Sequence, residues 1–260
     1  RALEDCRRAA PELVDISFDT IAGSGPHGAI VHYRVTQDTD RALGAGEVFL
    51  VDSGGQYRDG TTDVTRTLAI GPAGDEERQA YTRVLQGLIN VSRLRWPKDL
   101  SGRVLDALAR MPLWLAGQDY AHGTGHGVGS FLSVHEGPQR IARTGTTPLE
   151  PGMILSNEPG FYREGAYGIR LENLVLVEEA PALPGGTVEE MLRFQTLTYV
   201  PFDRRLIVPE MLTAPERAWL DAYHALCRRK LHDRVGSAAQ TWLDRVTAPL
   251  RDDALEEPAR

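Results

Sequence analysis

The segment AHGTGHGVGSFLSVHEGP, residues 121–138, holds His122, His126 and His135, three of the chain's seven histidines. Imidazoles this dense can bind a metal, move protons or simply pack. His122 and His126 have the i, i+4 spacing of a zinc helix, but Gly123, Gly125 and Gly127 surround them, and no glutamate follows His122. The helical zinc-protease motif is therefore absent. The glycines point instead to backbone running close to a ligand or to another strand. At this level the individual roles of the three histidines stay open.

Carboxylates form the second chemical set. VFLVDSG carries Asp52 and TTDVTRT carries Asp63, and a turn near Arg58–Asp59 is expected to bring them roughly opposite each other. ILSNEPG and GIRLEN repeat the arrangement with Glu158 and Glu172. Cross-strand neighbours have Cβ atoms about 5 Å apart, where like charges repel unless a cation lies between them. One such pair reads as ordinary acids near a turn; two such pairs are harder to read that way. Asp52 follows four apolar residues, and Glu172 lies between Leu171 and LVLV. Carboxylates embedded in apolar strands are costly unless paired or bound to metal. Four carboxylates and a histidine suit one or two divalent cations, and the mixed oxygen and nitrogen donors favour Mn, Co, Fe or Zn.

The elements that must position these groups follow from pattern. ISFDTIA, GAIVHYRV, EVFLVD and TTDVTRTLAI read as strands, as do GMILSNE, GIRLENLVLVEE and LRFQTLTYVPF. Apolar residues at 81, 84, 85, 88 and 91 predict a helix over 75–95, and Ser101 is the expected N-cap of a second. TAPERAWLDAYH has a capping-box start at Thr213, and a short helix is expected over 238–246, with a fraying tail beyond. GQYRDG at 55–60 and GFYREG at 160–165 hint at two related β-rich halves. The reading is an α+β catalytic domain over 1–202 and a helical extension over 203–260. His224 and His232 are expected to be solvated helix residues, and the four tryptophans core or interface anchors.

Composition bounds the function. The chain has 260 residues, enough for one large core. No run approaches the roughly 18 apolar residues of a membrane span. A net charge of −7 without a long basic run argues against nucleic acid and anionic membranes. Cys6 and Cys227 make no disulfide framework and point to a reducing compartment, hence a cytoplasmic protein. GSGPHG at 23–28 fits a dinucleotide fingerprint literally but leads into a predicted strand, so that reading fails. There is no P-loop and no G-x-S-x-G elbow. The chain opens on Arg1 inside a helical pattern and reads as a fragment.

Together, GSGPHGAIVHYR, VDSGGQYRDGTTDVTRT, HGTGHGVGSFLSVHEGP, SNEPGFYREGAYGIRLEN and LTAPERAWLDAYH resemble the aminopeptidase P family of pita-bread metallopeptidases, over about residues 14–246. VHEGP and the helical extension are most similar to its long, three-domain form. The resemblance implies a pita-bread fold and two metal ions, usually manganese, on Asp52, Asp63, His126, Glu158 and Glu172. It implies that His122 stabilises charge near the scissile bond, and that His32 and His135, with His122, hold the substrate around its proline. Arg170 is expected to pair with a ligand carboxylate. The implied reaction is release of the residue before a penultimate proline, by attack of a metal-bridging hydroxide on the X-Pro bond with Glu158 moving the proton. A proline-containing peptide is then the partner, and the full-length family dimerises. The alternatives are an X-Pro dipeptidase (prolidase) and a metal-free binding module on the same fold.

Overall fold

The computed structural model describes residues 2–250. Helix α1 spans Ala2–Arg8, and two short strands, β1 Leu13–Ile16 and β2 Ile21–Ser24, follow it. The first half continues with β3 Glu47–Ser53, the hairpin β4 Gly55–Tyr57 and β5 Gly60–Thr61, then β6 Val64–Ile70 and helix α2 Asp75–Ser92. β7 Arg95–Pro97, helix α3 Gly102–Trp114, β8 Gly125–His126 and β9 Arg140–Ile141 link the halves. The second half comprises β10 Ile154–Asn157, the hairpin β11 Gly160–Arg163 and β12 Tyr167–Arg170, then β13 Asn173–Glu179 and β14 Met191–Thr196. Helices α4 Ala214–Leu231 and α5 Ser237–Val246 close the described chain. The charged tail beyond residue 250 lies outside the described residues.

Each half is thus strand, hairpin, strand. In the first, β3 lies between β2 and β6; in the second, the order is β10–β13–β14–β7, all antiparallel. This is the α+β arrangement of two related β-rich halves with flanking helices. α2 buries Tyr81, Val84, Leu85, Leu88 and Val91 completely, the face its sequence spacing predicts. Phe202, Leu206, Leu220, Tyr223 and Cys227 join α2 in one hydrophobic cluster, so α4 shares its core with the first half. The Thr213 capping box is formed, both of its hydrogen bonds being present.

Four expectations change. GAIVHYRV is not a strand: Gly25 has φ +54° and starts a 3₁₀ turn over Gly25–Ala29. That turn presses on β12 so tightly that a Cβ on Gly168 would sit 1.7 Å from the Gly28 carbonyl oxygen. Tertiary contact here overrides β-propensity. ISFDTIA likewise splits into the end of β1 and the start of β2, around a bend. The turn at Arg58–Asp59 pairs Asp52 with Thr65, which leaves Asp63 two residues along the same face rather than opposite. His224 is fully buried, its Nε2 accepting from Phe202 N–H at 3.1 Å, and burial pushes its pKa down to about 3. It faces the core side of α4 beside Phe202 and Tyr223, while His232 stays solvated. Among the tryptophans, Trp96 is buried and Trp219 stacks on Tyr223, whereas Trp114 and Trp242 are about half exposed.

Candidate metal centre

The two hairpins meet where their strands end. β13 continues the register of β10, so Glu158 and Glu172 fall opposite each other between the Asn157–Asn173 and Gly160–Arg170 pairs. Glu172 N–H donates to the Thr65 carbonyl at 3.1 Å, stitching the second half to β6. Thr65 Oγ1 donates to Glu172 Oε2 at 2.8 Å, and Arg170 Nη2 donates to Asp52 Oδ2 at 2.7 Å. Each half therefore orients a carboxylate of the other.

His126 enters from β8. Its Nε2 lies 3.3 Å from Glu158 Oε1 and 3.5 Å from Asp63 Oδ2. Its Nδ1 lies 3.0 Å from the Gly127 carbonyl, so Nδ1 carries the proton and Nε2 faces the carboxylates. The flanking glycines are required by close backbone: a Cβ at Gly125 would meet the Ser156 carbonyl oxygen of β10 at 1.9 Å, and one at Gly127 the Glu136 carbonyl oxygen of the loop before β9 at 2.1 Å.

Donor atoms of Asp52, Asp63 and Glu172 lie within 4.8 Å of one another, as do those of His126, Glu158 and Glu172. A third set within that distance joins Asp63, His126 and His135. The electrostatics are those of a site short of positive charge. Burial pushes the Asp52 carboxyl up to about 6; Arg170 opposes the rise and Asp63 adds to it. Burial pushes Glu158 up to about 7 against the pull of His126 and Arg170. Glu172 is raised well above the carboxylate range, first by burial and then by Asp63, Glu158 and Asp52. For His126 burial works downward, but the Asp63 hydrogen bond and Glu158 outweigh it and lift the ring to about 9.

The residues fit divalent cations. Asp52 Oδ1, Asp63 Oδ1 and Glu172 Oε1 are buried without a hydrogen-bond partner among the described residues. Buried acceptors without partners cost about 1–3 kcal/mol each, more when charged. Cations among them would remove that cost and displace the His126 proton.

The remaining candidates surround this cluster in a cavity of about 600 Å³, lined also by His32, His122, His135 and Arg170. His122 Nδ1 lies 2.8 Å from the Gly123 carbonyl, so its Nε2 accepts from Tyr162 O–H at 2.8 Å. Burial holds His122 down to about 4. His135 is exposed, with its ring centroid 4.0 Å from that of His126. Burial and Arg170 lower the His32 pKa, and burial with His126 lowers that of His135. His32 is exposed after the 3₁₀ turn; the histidine stacked on Tyr33 is His27.

Three groups escaped the sequence reading. Tyr162 accepts from Arg170 Nη1 at 2.8 Å and so bridges it to His122; its place in the repeated GFYREG was the available signal. Asp106 and Arg110, at i, i+4 on α3, form a buried ion pair at 2.8 Å. Arg110 donates to the Tyr120 and His122 carbonyls, and Asp106 accepts from Thr124, so α3 fixes the loop that carries His122. Arg66 donates to Asn173 Oδ1, Tyr223 Oη and the Glu172 carbonyl, tying the second hairpin to α4. The i, i+4 spacing of Asp106 and Arg110 was a local signal, whereas only tertiary contact reveals their grip on the loop and the contacts of Arg66.

Comparison with known proteins agrees with this geometry. A model of metallopeptidase family M24 matches residues 1–179, and one of the C-terminal region of peptidase M24 matches residues 190–250. A probable Xaa-Pro aminopeptidase P of Tuber melanosporum (strain Mel28) is 44% identical over 253 residues, covering 95% of this chain and 41% of its own. Aminopeptidase P1 of Lotus japonicus is 42% identical over 250 residues, covering 95% and 38%. The X-prolyl aminopeptidase of Caenorhabditis elegans, described as a cytosolic enzyme with a di-nuclear active site, superposes with a TM-score of 0.91 at 38% identity, over 95% of this chain and 41% of that one. Prolidase from Pyrococcus furiosus superposes with a TM-score of 0.58 at 31% identity, over 63% of this chain and 47% of its own. The chain spans about two fifths of the length of the aminopeptidases it matches. With its matched family region and its meeting of two carboxylate-bearing hairpins, the chain belongs to metallopeptidase family M24.

Proposed function

We propose that this chain is the catalytic portion of an X-Pro aminopeptidase, releasing the N-terminal residue from peptides with proline second. The observation that carries the reading is the convergence of Asp52, Asp63, His126, Glu158 and Glu172 in one cavity rimmed by His32, His122 and His135. These five would hold two divalent cations, with manganese the first choice and Co, Fe or Zn the alternatives. When bound, such ions supply Lewis acidity that brings the ionisation of a water towards neutral pH and polarises a carbonyl.

The chain's own groups do the rest. Glu158 keeps 17% of its side chain accessible and has a carboxyl near 7, so it can take a proton from the attacking water and give it to the proline nitrogen. His122 is neutral with Nε2 as an acceptor, so it donates to a developing oxyanion only after gaining a proton. Tyr162 O–H holds that Nε2 and accepts from Arg170, and burial raises its pKa to about 12, so it orients the ring and does not supply the proton. Arg170 pairs with Asp52 and fixes that carboxylate. His32, His135 and His122 hold the substrate around its proline.

Residues 1–202 form the catalytic body and 203–260 the extension; the longer protein is a cytoplasmic homodimer. No described helix is long and apolar enough to cross a membrane. The test is hydrolysis, with manganese added, of an X-Pro-Y tripeptide against the matching X-Pro dipeptide. Release of the first residue from the tripeptide supports the reading. Preference for the dipeptide means a prolidase, and inactivity without bound metal means a binding module.

A further inference from the structure

The backbone ladder of the first hairpin is interrupted at one place. β3 and β6 pair as far as Ser53 with Val64, and β4 and β5 resume with Gln56 opposite Thr61. The register is the same on both sides, so Asp63 stands opposite Gly54. Neither residue belongs to a strand, and the flanking strands lie in different sheets, β3 and β6 with β2, β4 and β5 with β1. Asp63 therefore sits where the ladder does not hold it, and Asp52 lies just before the same gap.

The groups that close this gap come from the N-terminal segment. Ser17 N–H donates to the Gly54 carbonyl at 3.2 Å, and Ser17 Oγ donates to the Thr62 carbonyl at 2.9 Å. Arg7, half-buried in the last turn of α1, reaches across both strands. Its Nη2 donates to the Ser53 carbonyl and to Ser53 Oγ, both at 3.0 Å, and its Nη1 to Thr62 Oγ1 at 3.4 Å. Ser53 follows Asp52 and Thr62 precedes Asp63, so one planar fork spans the neighbours of both first-half carboxylates. The fork is directed wholly at this hairpin: Arg7 forms no ion pair among the described residues, and its Nε is buried without a partner among them. Glu4, one turn earlier, accepts from Thr20 Oγ1 at 2.8 Å, which fixes α1 against the start of β2. The contacts are also one-sided. Asp52, Asp63 and Glu172 make one donor set and His126, Glu158 and Glu172 another, and Arg7 touches neighbours of the first set alone.

We propose that Arg7, supported by Ser17, is a positioning residue that sets the spacing of Asp52 and Asp63, so that α1 controls the cation held by Asp52, Asp63 and Glu172 and not the one held by His126, Glu158 and Glu172. The inference rests on the two-cation reading. The experiment titrates manganese into the metal-free 260-residue chain by calorimetry, for the wild type, Arg7→Met, Arg7→Lys and Ser17→Ala. Asp52→Ala marks which binding step belongs to the first donor set. The wild-type chain shows two steps. Arg7→Met weakens the step lost in Asp52→Ala by about 10–100-fold, as removal of a group that orients a ligand does, and leaves the other step near wild type. Arg7→Lys keeps the charge but not the fork and restores part of the affinity; Ser17→Ala weakens the same step less. In parallel, kcat/KM of Arg7→Met for alanyl-prolyl-leucine falls at limiting manganese and recovers when manganese is saturating. Should Arg7→Met fail to fold, Arg7→Lys and Ser17→Ala carry the same comparison of the two steps. Both steps weakening together would make Arg7 a general contact of the fold and overturn the proposal. Two wild-type steps that are both unmoved by Arg7→Met contradict the role of Arg7 alone. A wild-type chain with fewer than two steps contradicts the two-cation reading and overturns the proposal with it.

Discussion

The two halves carry the same kind of acid pair but treat it differently. In the first, Asp52 faces Thr65 and Asp63 lies diagonally from it; in the second, Glu158 faces Glu172 directly. The first pair has an internal cation, since Arg170 from the second half holds Asp52 at 2.7 Å. The second pair has His126 on Glu158 and only the Thr65 hydroxyl on Glu172. The carboxyls follow suit: Asp52 rises to about 6, Glu158 to about 7, and Glu172 well above the ordinary range, with burial the leading cause in each case. Arg170 holds Asp52 and lies 3.9 Å from Glu158, and His126 is shared by Asp63 and Glu158, so Glu172 alone of the four has no cationic partner among the described residues.

This contrast can be broken at several points. The largest effect is expected from Glu158→Gln, which keeps shape and removes the proton carrier. It should lower kcat by about 10²–10⁴-fold; kcat near wild type would assign the proton transfer elsewhere. Arg170→Met strips the internal cation from Asp52 and frees Tyr162. Removing one partner of a buried pair costs about 3–5 kcal/mol. Urea denaturation of the metal-free chain should show a loss of that order, and an unchanged midpoint would mean that Asp52 is held by other groups.

The pH dependence sharpens the same comparison. Asp52 and Glu158 keep protons in the folded chain that the unfolded chain has released, because their folded pKa values are raised. His126, lifted to about 9, works in the same direction. The stability from these protons is therefore present at low pH and is lost as pH rises through about 6 and 7, then 9. Melting of the metal-free chain should fall in temperature between about pH 7 and 8.5, above the range where the lowered His122 and His224 act in the opposite sense, and manganese should flatten or reverse that slope because its ligands bind deprotonated. A metal-free chain whose melting is level over that range would contradict the crowded-carboxylate account. Thr65→Val is the smallest perturbation. It removes one hydroxyl from Glu172 and from Arg170 Nε, and should weaken manganese binding by about 10–100-fold without changing the fold. Unaltered affinity would show that Glu172 needs no help from the first half.

Much of this arrangement was legible in the sequence. Asp52 and Glu172 stood out because an apolar strand is an expensive place for a carboxylate. The α2 face and the Thr213 cap were readable because helical periodicity and capping are local. The offset between Asp52 and Asp63 was within reach too: a turn centred on Arg58–Asp59 pairs position 52 with 65, not with 63. What could not be read depended on distant chain. GAIVHYRV has strand composition, yet contact with β12 curls it into a turn that delivers His32 to the cavity rim. His224 looked like a surface residue, until the 202–212 segment covered it. Arg66 gains its partners from residues far along the chain, and Arg110, beyond its i, i+4 partner Asp106, from across a loop; no spacing rule marks those distant contacts.

The central claim is that both halves contribute to one site that holds two ions. The direct test is metal content per chain after equilibrium dialysis against manganese, for the wild-type protein and for Glu172→Ala and Asp52→Ala. Two ions per wild-type chain, falling to one or none when a carboxylate from either half is removed, is the predicted result. A single ion in the wild-type chain, or two ions retained after loss of Glu172, would contradict it.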